Sequence, residues 1–396
     1  MIVIEPEARN GTIPAEGRVM KKFIYIIIFS CLAMMLVVSC SKIRKITDDI
    51  TQPTAREAYK RDFKGADSLY AAWEQAFQTA TLDSLQVAAP YGESGKFRPT
   101  NITAYSYLVT LEEGESLSAK VERDSLQQKV FIDIFEVNDS GQTKIISNER
   151  DTDFVEYPVA KSGYYKVVVQ PEIMANTNFT ILLNTAPLYG FPVAGKGNAA
   201  IQSFWGYERD GGKRQHEGID IFAPRGTPVV AVADGIISNI GDRGLGGKQV
   251  WQRVGAFGHS IYYAHLDEIT AVGGSRVSKG DTVGFVGSTG NAKGGAPHLH
   301  FGIYKNFGGA VNPLAFVYTQ SKISAASFRS NIKSEVFKIK NAAATLRQGP
   351  STTAPKIGML QKNDMVRVLG QHKEWLHVRT AMNQKAFVHQ SLVSSK

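Results

Sequence analysis

Short runs of β-branched and aromatic residues, separated by turn residues, constrain the fold of this chain more than any other feature. The clearest four are Tyr105–Leu111 and residues 130–137, 164–169 and 179–183. Runs of this length and spacing are typical of antiparallel sandwiches. We therefore predict a mainly β chain with a β-sandwich domain at residues 96–187.

Length, composition and charge limit the possible classes. A chain of 396 residues suits two or three domains, and 43% apolar with 20% charged residues suits a globular protein. The net charge of +9 suggests an anionic partner. The lysines and arginines are scattered rather than interleaved with aromatic residues, so we expect no nucleic-acid binding. A cell envelope with anionic polymers fits the charge equally well.

The cysteines are Cys31 and Cys40, and no others occur. Two cysteines exclude a disulfide framework and a cysteine-rich zinc site. Because no cysteine follows position 40, a cysteine nucleophile in the folded body is also excluded.

A stretch with the features of a signal peptide precedes the folded body. Lys21-Lys22 stand before an apolar run that ends at Ser39-Cys40. We expect Met20 to be the true start, and residues 1–40 to be a leader and signal peptide. A transmembrane anchor is the alternative, but the run is shorter than the ~20 residues that a spanning helix prefers.

The end of this run, Val37-Val38-Ser39-Cys40, resembles a bacterial lipoprotein signal. The resemblance implies cleavage before Cys40 and acylation of that residue, which would anchor the protein in a lipid bilayer. We therefore expect a periplasm-facing lipoprotein of the cell envelope, on the outer membrane.

Residues 41–95 are mixed and polar. Apolar residues recur at helical spacing between Ala55 and Ala80. This pattern predicts one or two helices, or a tether that lifts the rest of the chain off the membrane.

Five of the eight histidines lie between positions 216 and 300. His216, Asp220 and His300 would supply the three nitrogen and carboxylate ligands of a catalytic zinc site. His298 and His300 are two residues apart, so in a strand they share a face. One of them can then bind a metal while the other reaches a substrate.

The surrounding region shows strands and turns and no long helix. Gly218 and the apolar residues after it favour a loop entering a strand over a helix. Residues 227–235 predict a strand and a tight turn, and residues 277–287 predict a hairpin. We expect His259 to be an ordinary loop histidine.

Residues 191–316 resemble the lysostaphin-type zinc metallopeptidases, which cut peptidoglycan peptides. The matching segments are Arg214-Gln215-His216-Glu217-Gly218-Ile219-Asp220-Ile221, Gly226-Thr227-Pro228-Val229, Ala233-Asp234-Gly235, Tyr263-Ala264-His265-Leu266, Lys279-Gly280-Asp281-Thr282-Val283-Gly284, Gly287-Ser288-Thr289-Gly290, Pro297-His298-Leu299-His300-Phe301 and Asn312-Pro313-Leu314. One departure is Gly247-Lys248-Gln249-Val250-Trp251-Gln252, where the family often has a Gly-Asn-x-Val strand. We expect this change to affect the groove wall and no metal position.

The resemblance implies a central antiparallel β-sheet domain at residues 188–320 that holds one Zn²⁺ per chain through His216, Asp220 and His300. His265 and His298 match the two histidines of the family that do not bind the metal. One would act as general base and the other as oxyanion donor, in an order that the sequence leaves open. The implied partner is peptidoglycan. In a double-membraned envelope, we expect the direct D-alanyl to diaminopimelate cross-link to be the target.

Residues 336–396, after a linker at residues 321–335, resemble a bacterial Src-homology-3-like barrel that targets cell walls. The segments that carry the resemblance are Ala344-Thr345-Leu346-Arg347-Gln348-Gly349-Pro350-Ser351, Asn363-Asp364-Met365-Val366-Arg367-Val368-Leu369 and Trp375-Leu376-His377-Val378-Arg379. Ala386-Phe387 stands where the family usually has Gly-Trp. We expect His372, His377 and His389 to be ordinary surface or barrel residues. In the sandwich, Ser162-Gly163-Tyr164-Tyr165 resembles small jelly-roll modules found beside secreted peptidases. We predict a spacer or a carbohydrate-contacting sandwich there.

The sequence is compatible with three functions. The first is an active zinc endopeptidase of the envelope. The second is a catalytically silent regulator that activates other wall hydrolases through partners the sequence does not identify. Silent members of the family lack metal positions, and here none is missing. The third is a biotinyl- or lipoyl-type carrier, which has no use for the histidines.

Overall fold

The computed structural model describes residues 51–255, 258–305, 308–328, 332 and 334–395. The predicted signal peptide, Cys40 and the expected start at Met20 lie outside these residues. Within them, no helix has both the length and the apolar composition needed to cross a bilayer.

Two helices open the described chain: α1 (Ala55–Asp62) and α2 (Asp67–Leu82). Thr54 and Glu57 form a capping box that satisfies the first backbone N–H groups of α1. Trp73 of α2 is buried against Phe131, with ring centroids 5.2 Å apart. The two helices therefore pack on a sheet of the following domain.

The next domain is a sandwich of two antiparallel sheets. Its strands are β1 (Tyr91–Phe97), β2 (Tyr105–Leu111), β3 (Glu115–Arg123), β4 (Val130–Asn138), β5 (Gly141–Ser147), β6 (Phe154–Pro158), β7 (Gly163–Pro171) and β8 (Thr177–Pro187). One sheet has the order β6-β3-β8-β1 and the other β2-β7-β4-β5. Along β2, Tyr105, Tyr107 and Val109 all point into the core between the sheets, as the period of two requires.

A second β domain follows. Its strands are β9 (Ile201–Ser203), β10 (Glu208–Arg209), β11 (Arg214–Gln215), β12 (Ile219–Phe222), β13 (Pro228–Val230), β14 (Gly235–Arg243), β15 (Gly247–Arg253), β16 (His259–Ala264), β17 (Leu266–Ile269), β18 (Arg276–Val277), β19 (Thr282–Val286), β20 (His298–Lys305) and β21 (Gly309–Val311), followed by the short helix α3 (Leu314–Val317). The main sheet has the order β18-β14-β15-β16-β20-β12-β9 and is antiparallel throughout. The sheet β13-β19-β17 and the main sheet share one core.

The hairpin predicted at residues 277–287 is wrong. β18 pairs with β14 in the main sheet, whereas β19 pairs with β13 and β17 in the smaller one. Between them the chain turns against the segment before β14: the Gly280 N–H donates to Ala231 O, and the Lys279 N–H donates to Asp234 Oδ1. The turn residues thus bond to this segment and not across a hairpin. The chain crosses here from the main sheet to the smaller one.

The last strands form a C-terminal module, residues 336–395. They are β22 (Val336–Ile339), β23 (Ala343–Arg347), β24 (Lys356–Gln361), β25 (Met365–His372), β26 (Trp375–Thr380), β27 (Lys385–His389) and β28 (Val393–Ser395). The strand order is β24-β23-β27-β26-β25, and β22 pairs with β25 and β28. A separate small core lies inside the module. Within the described residues, the strand pairings leave this sheet open.

The C-terminal module and the sandwich share a continuous sheet. β1 pairs with β8 over its whole length and also with β25, at Ser94↔Gln371 and Gly95↔Gly370. Phe328, within the predicted linker, is buried on the junction and stacks on His372. The linker therefore contributes an anchor to this interface.

Candidate active site

The main sheet places the predicted metal ligands side by side. In the antiparallel pairing of β12 with β20, Asp220 lies opposite His300 and Phe222 lies opposite His298. On the other side of β20, Ala264 of β16 lies opposite His300. His265 follows Ala264 directly, so three neighbouring strands deliver four functional side chains to one end of the sheet.

Gly218 allows the His216 loop to approach β20. A Cβ atom at this position would lie 2.6 Å from the carbonyl oxygen of Phe301 and 2.7 Å from Cε1 of the His300 ring. Such contacts are too close for any side chain. Glycine between His216 and Asp220 is thus a packing requirement of the site, and the loop entering a strand that the sequence predicted is the arrangement found.

Three atoms form a tight triangle at the centre of the site. His216 Nε2 lies 3.0 Å from Asp220 Oδ1 and 3.0 Å from His300 Nδ1, and the third side measures 3.1 Å. His216 and Asp220 are buried. Tetrahedral ligands at zinc bond lengths would be about 3.3 Å apart. The triangle therefore has the dimensions of a closed ligand set around one ion.

The chemistry of these atoms also calls for a cation. His216 Nδ1 lies 2.9 Å from the carbonyl oxygen of Phe204, which can only accept a hydrogen bond. In the neutral ring the proton is therefore on Nδ1, and Nε2 presents a lone pair to the Asp220 carboxylate. Two acceptors at 3.0 Å repel each other unless a positive charge lies between them. The three residues fit a divalent metal ion.

Asp220 stays ionised in this setting. Burial alone would raise its pKa, but hydrogen bonds and positive charge from His216 and His300, when those rings are protonated, hold the pKa of the carboxyl well below its ordinary value. The carboxylate is thus available as a ligand over the whole physiological range.

His265 has an unusual backbone conformation. Its φ of 63° lies in the left-handed region, which costs a non-glycine residue on the order of 1–3 kcal/mol. Thr289 and Gly246 hold it there: the His265 N–H donates to Gly246 O at 2.8 Å, and His265 Nδ1 donates to Thr289 O at 2.9 Å. The strain directs the imidazole toward the site instead of along β16.

His298 is held on two sides. Its Nδ1 donates to Ala296 O at 2.8 Å, and its ring stacks on Phe222 with a centroid distance of 4.9 Å. The His265 ring lies 5.0 Å from the His298 ring and 5.8 Å from the His300 ring. The structure thus brings all five predicted site residues together.

Both non-ligand histidines can accept a proton. Each donates its Nδ1–H to a backbone carbonyl, so Nε2 of the neutral ring carries a lone pair. Burial and the neighbouring rings of His300 and His298 lower the pKa of His265 to about 4. His265 is therefore neutral at physiological pH.

A groove of about 870 Å³ surrounds the site, and all of its lining residues lie between positions 209 and 304. Lys248 and Gln249, in the departure from the family pattern, do not line it. Lys248 Nζ donates to Asp267 O. Trp251, in the same departing stretch, does line the groove.

The sequence reasoning missed several groove residues. Trp251, Tyr262 and Tyr304 form an aromatic wall on β15, β16 and β20. The ring centroid of Trp251 lies 4.4 Å from that of Tyr262 and 5.2 Å from that of Tyr304. Each follows or precedes a buried core residue, so strand alternation could have indicated them. Arg209 was also missed, and no local pattern indicates it.

His259 is the first residue of β16 and not a loop residue. Its Nδ1 bonds the Tyr189 hydroxyl at 2.7 Å, and its Nε2 faces Glu113 of the sandwich at 3.8 Å. Burial lowers its pKa. His259 thus belongs to the contact between the two β domains and lies at the opposite end of β16 from the metal ligands.

Residues 214–313 match peptidase family M23, and residues 342–394 match the bacterial SH3 domain. This chain contains an M23 peptidase domain. Both family resemblances drawn from the sequence are confirmed at this level, as is the mainly β fold.

Two curated proteins named as endopeptidases are similar to part of this chain. A DD-carboxypeptidase/endopeptidase of Neisseria meningitidis is 38% identical over 141 residues, which cover 36% of this chain and 31% of the relative. A glycyl-glycine endopeptidase of Staphylococcus capitis is 30% identical over 186 residues, covering 42% of this chain and 51% of the relative. The match thus spans about a third to a half of the length of these curated relatives.

Among solved structures, the catalytic domain of lysostaphin from Staphylococcus simulans is similar to part of this chain. The sequences are 30% identical, the match covers 32% of this chain and 90% of that domain, and the TM-score is 0.26.

Proposed function

We propose that this protein is a zinc-dependent endopeptidase that cleaves peptide bonds in peptidoglycan. One observation carries the proposal: the triangle formed by His216, Asp220 and His300 lies beside His265 and His298 in an open groove. Both similar proteins are named as endopeptidases, which supports cleavage of a peptide bond. The family resemblance of the sequence implies peptidoglycan as the substrate.

His216, Asp220 and His300 would hold one Zn²⁺ per chain. When bound, the ion supplies Lewis acidity and a water of lowered pKa. Phe204 O fixes the tautomer of His216, and the pairing of β12 with β20 fixes Asp220 against His300. The protein thereby presents the three ligand atoms without rearrangement.

His265 and His298 move the protons of the reaction. Each neutral ring offers Nε2 as an acceptor, so either can take a proton from the attacking water. The ring that has gained a proton becomes a donor and can return it to the leaving amine. The second ring can stabilise the developing oxyanion only as a donor, with a proton on its Nε2. The two ring centroids lie 5.0 Å apart.

We propose the direct cross-link between D-alanine and diaminopimelate as the bond that is cut. The proposal rests on the expected double-membraned envelope and on the DD-specific name of the neisserial relative. The staphylococcal relative is named for a glycyl-glycine bond, so a digestion should include walls of both types.

A catalytically silent regulator is the alternative function. All three ligand positions are present, and no described residue of the sandwich or of the C-terminal module lines the groove. Both observations favour the enzyme, because neither a missing ligand nor a covering domain blocks the site within the described part of the chain.

We also propose that the protein is a lipoprotein anchored through Cys40 on the outer membrane, facing the periplasm. Replacing Cys40 with Ala should release the protein from membranes or block signal processing. Unchanged membrane association and processing of this variant would contradict the lipid anchor.

Digestion of purified peptidoglycan tests the main proposal. Protein starting at residue 41 should release soluble muropeptides, and a chelator should stop the release until zinc is restored. Mass analysis should show new D-alanyl carboxylates and new amino termini. If zinc-loaded protein releases no such products, the regulator is the better conclusion.

A further inference from the structure

Arg209 is not one of the three candidate metal ligands, but its side chain contacts one of them, Asp220. The residue lies on the short hairpin β10–β11, before the segment that matches family M23. Its Nη2 donates to Asp220 Oδ2 at 3.0 Å and to Ser203 Oγ at 2.6 Å. The Arg209 side chain is 28% exposed and that of Asp220 is 11% exposed. This is therefore a largely desolvated ion pair at the wall of the groove.

Ser203 extends the contact to a second ligand. Ser203 of β9 lies opposite Asp220 of β12, and its Oγ is 3.4 Å from Nδ1 of His216. One guanidinium nitrogen thus connects, directly or through one hydroxyl, to two of the three residues in the triangle.

The two oxygens of Asp220 have separate partners. Oδ1 belongs to the triangle with His216 and His300, whereas Oδ2 is held by Arg209. A carboxylate held in this way cannot turn to offer both oxygens to the same ion. Its rotation is fixed before any metal binds, and outer partners of this kind typically set the affinity of a metal site.

We propose that Arg209 is a positioning residue of the metal site, which holds Asp220 so that only Oδ1 is presented to the ion. This inference rests on the proposed zinc site. Arginine suits the role because its guanidinium is always charged and donates to several acceptors at fixed angles.

Positioning and simple charge act in opposite directions here. A positive side chain beside a divalent cation repels it, so removing the charge of Arg209 should strengthen zinc binding if charge alone matters. Removing a positioning group should weaken zinc binding. The sign of the change therefore separates the two effects.

The chain offers a matched control in Arg214. It is also an arginine of the hairpin and lines the same groove. Its Nε donates to Asp210 Oδ2 at 2.5 Å, and Asp210 is not in the triangle. Arg214→Met removes the same charge from the same groove without touching the ligands.

The experiment measures the dissociation constant for zinc on the full chain in detergent, by competition with a chromophoric chelator. Arg209→Met should weaken binding roughly 10- to 100-fold. Arg209→Lys should recover part of the loss, and Ser203→Ala should cause a smaller loss because Asp220 keeps its own bond to Arg209. Arg214→Met should bind zinc at least as tightly as the wild type. Thermal melting of the metal-free proteins serves as the folding control.

Unchanged or tighter zinc binding in Arg209→Met would overturn the inference, and so would an equal loss in Arg214→Met. If Arg209→Met does not fold, Ser203→Ala decides, since wild-type affinity in that variant contradicts the connection to the ligands. A wild-type chain that binds no zinc would instead overturn the proposed function, and the Arg209 inference with it.

Discussion

Glu93 of β1 and His377 of β26 form a fully buried contact between the sandwich and the C-terminal module. His377 Nδ1 lies 2.9 Å from Glu93 Oε1, and neither side chain is exposed to solvent. The hydroxyls of Tyr91 and Tyr107 donate to the other carboxylate oxygen at 2.5 and 2.9 Å. A buried carboxylate with three donors is costly to disrupt, because each donor loses its partner when the carboxylate is removed.

Replacing Glu93 with Ala should therefore lower the free energy of unfolding by about 3–5 kcal/mol. Urea denaturation followed by tryptophan fluorescence measures the change. Glu122→Ala is the control, since Lys120 and Glu122 form an ion pair in which both side chains are 45% exposed. Such a surface pair should contribute about 1 kcal/mol or less. Equal losses in the two variants would show that the buried contact has no special role.

Stability should also fall in acid through the same carboxyl. Burial would raise the pKa of Glu93, but His377 and the two tyrosine hydroxyls hold it below its ordinary value. The unfolded state then binds more protons below pH ~4.5, so this contribution is complete above that pH and is lost as the pH falls through the folded-state pKa. The urea midpoint of Glu93→Gln should depend less on pH between 5.5 and 3.5 than that of the wild type. If the urea midpoints of Glu93→Gln and the wild type change equally with pH, the acid sensitivity does not come from Glu93.

Zinc content tests the ligand set. The purified wild-type protein should contain about one zinc per chain by elemental analysis. His216→Ala, Asp220→Ala and His300→Ala should each lose most of it, because two ligands hold the ion poorly. His259→Ala is the control, since that histidine lies at the sandwich contact. Full zinc retention in His300→Ala would refute the assignment.

His265 and His298 separate the enzyme from the regulator. Neither is assigned to the metal, so His265→Ala and His298→Ala should fold and keep zinc. A general base or oxyanion donor typically contributes 10² or more in rate. Each variant should therefore lose at least about 100-fold in muropeptide release, measured by mass spectrometry. Muropeptide release at the wild-type rate in both variants would contradict the proposed roles of the two histidines in proton transfer.

Wall binding by the C-terminal module can be tested with the inactive His265→Ala protein, which leaves the wall intact during the assay. Truncation after residue 335 should weaken sedimentation with purified peptidoglycan. In an active background, the same truncation should leave cleavage of small soluble peptides unchanged. Circular dichroism of the truncated protein must show that it still folds, because truncation removes β25, the partner of β1, and His377, the partner of Glu93. Sedimentation equal to that of the full chain would point to another role for the module.

The active site was predictable because its residues lie in short motifs. His216 and Asp220 are four residues apart and His298 and His300 two apart, so strand and loop geometry alone brings each pair together. Two contacts that the sequence did not show depend on how separate elements pack together. Glu93 and His377 are 284 positions apart, and the bond from Arg209 to Asp220 depends on where an exposed hairpin folds. The hairpin predicted at residues 277–287 failed because local turn signals do not reveal which sheet each strand joins.

The pairing of β1 with both β8 and β25 joins the sandwich directly to the C-terminal module. The M23 domain lies between the sandwich and the C-terminal module in sequence, yet these two share one sheet without it. If the proposed lipid anchor and the predicted wall binding by the C-terminal module both hold, tension between membrane and wall would pass through that sheet. The strands that carry the catalytic groove belong to other sheets and lie outside this connection.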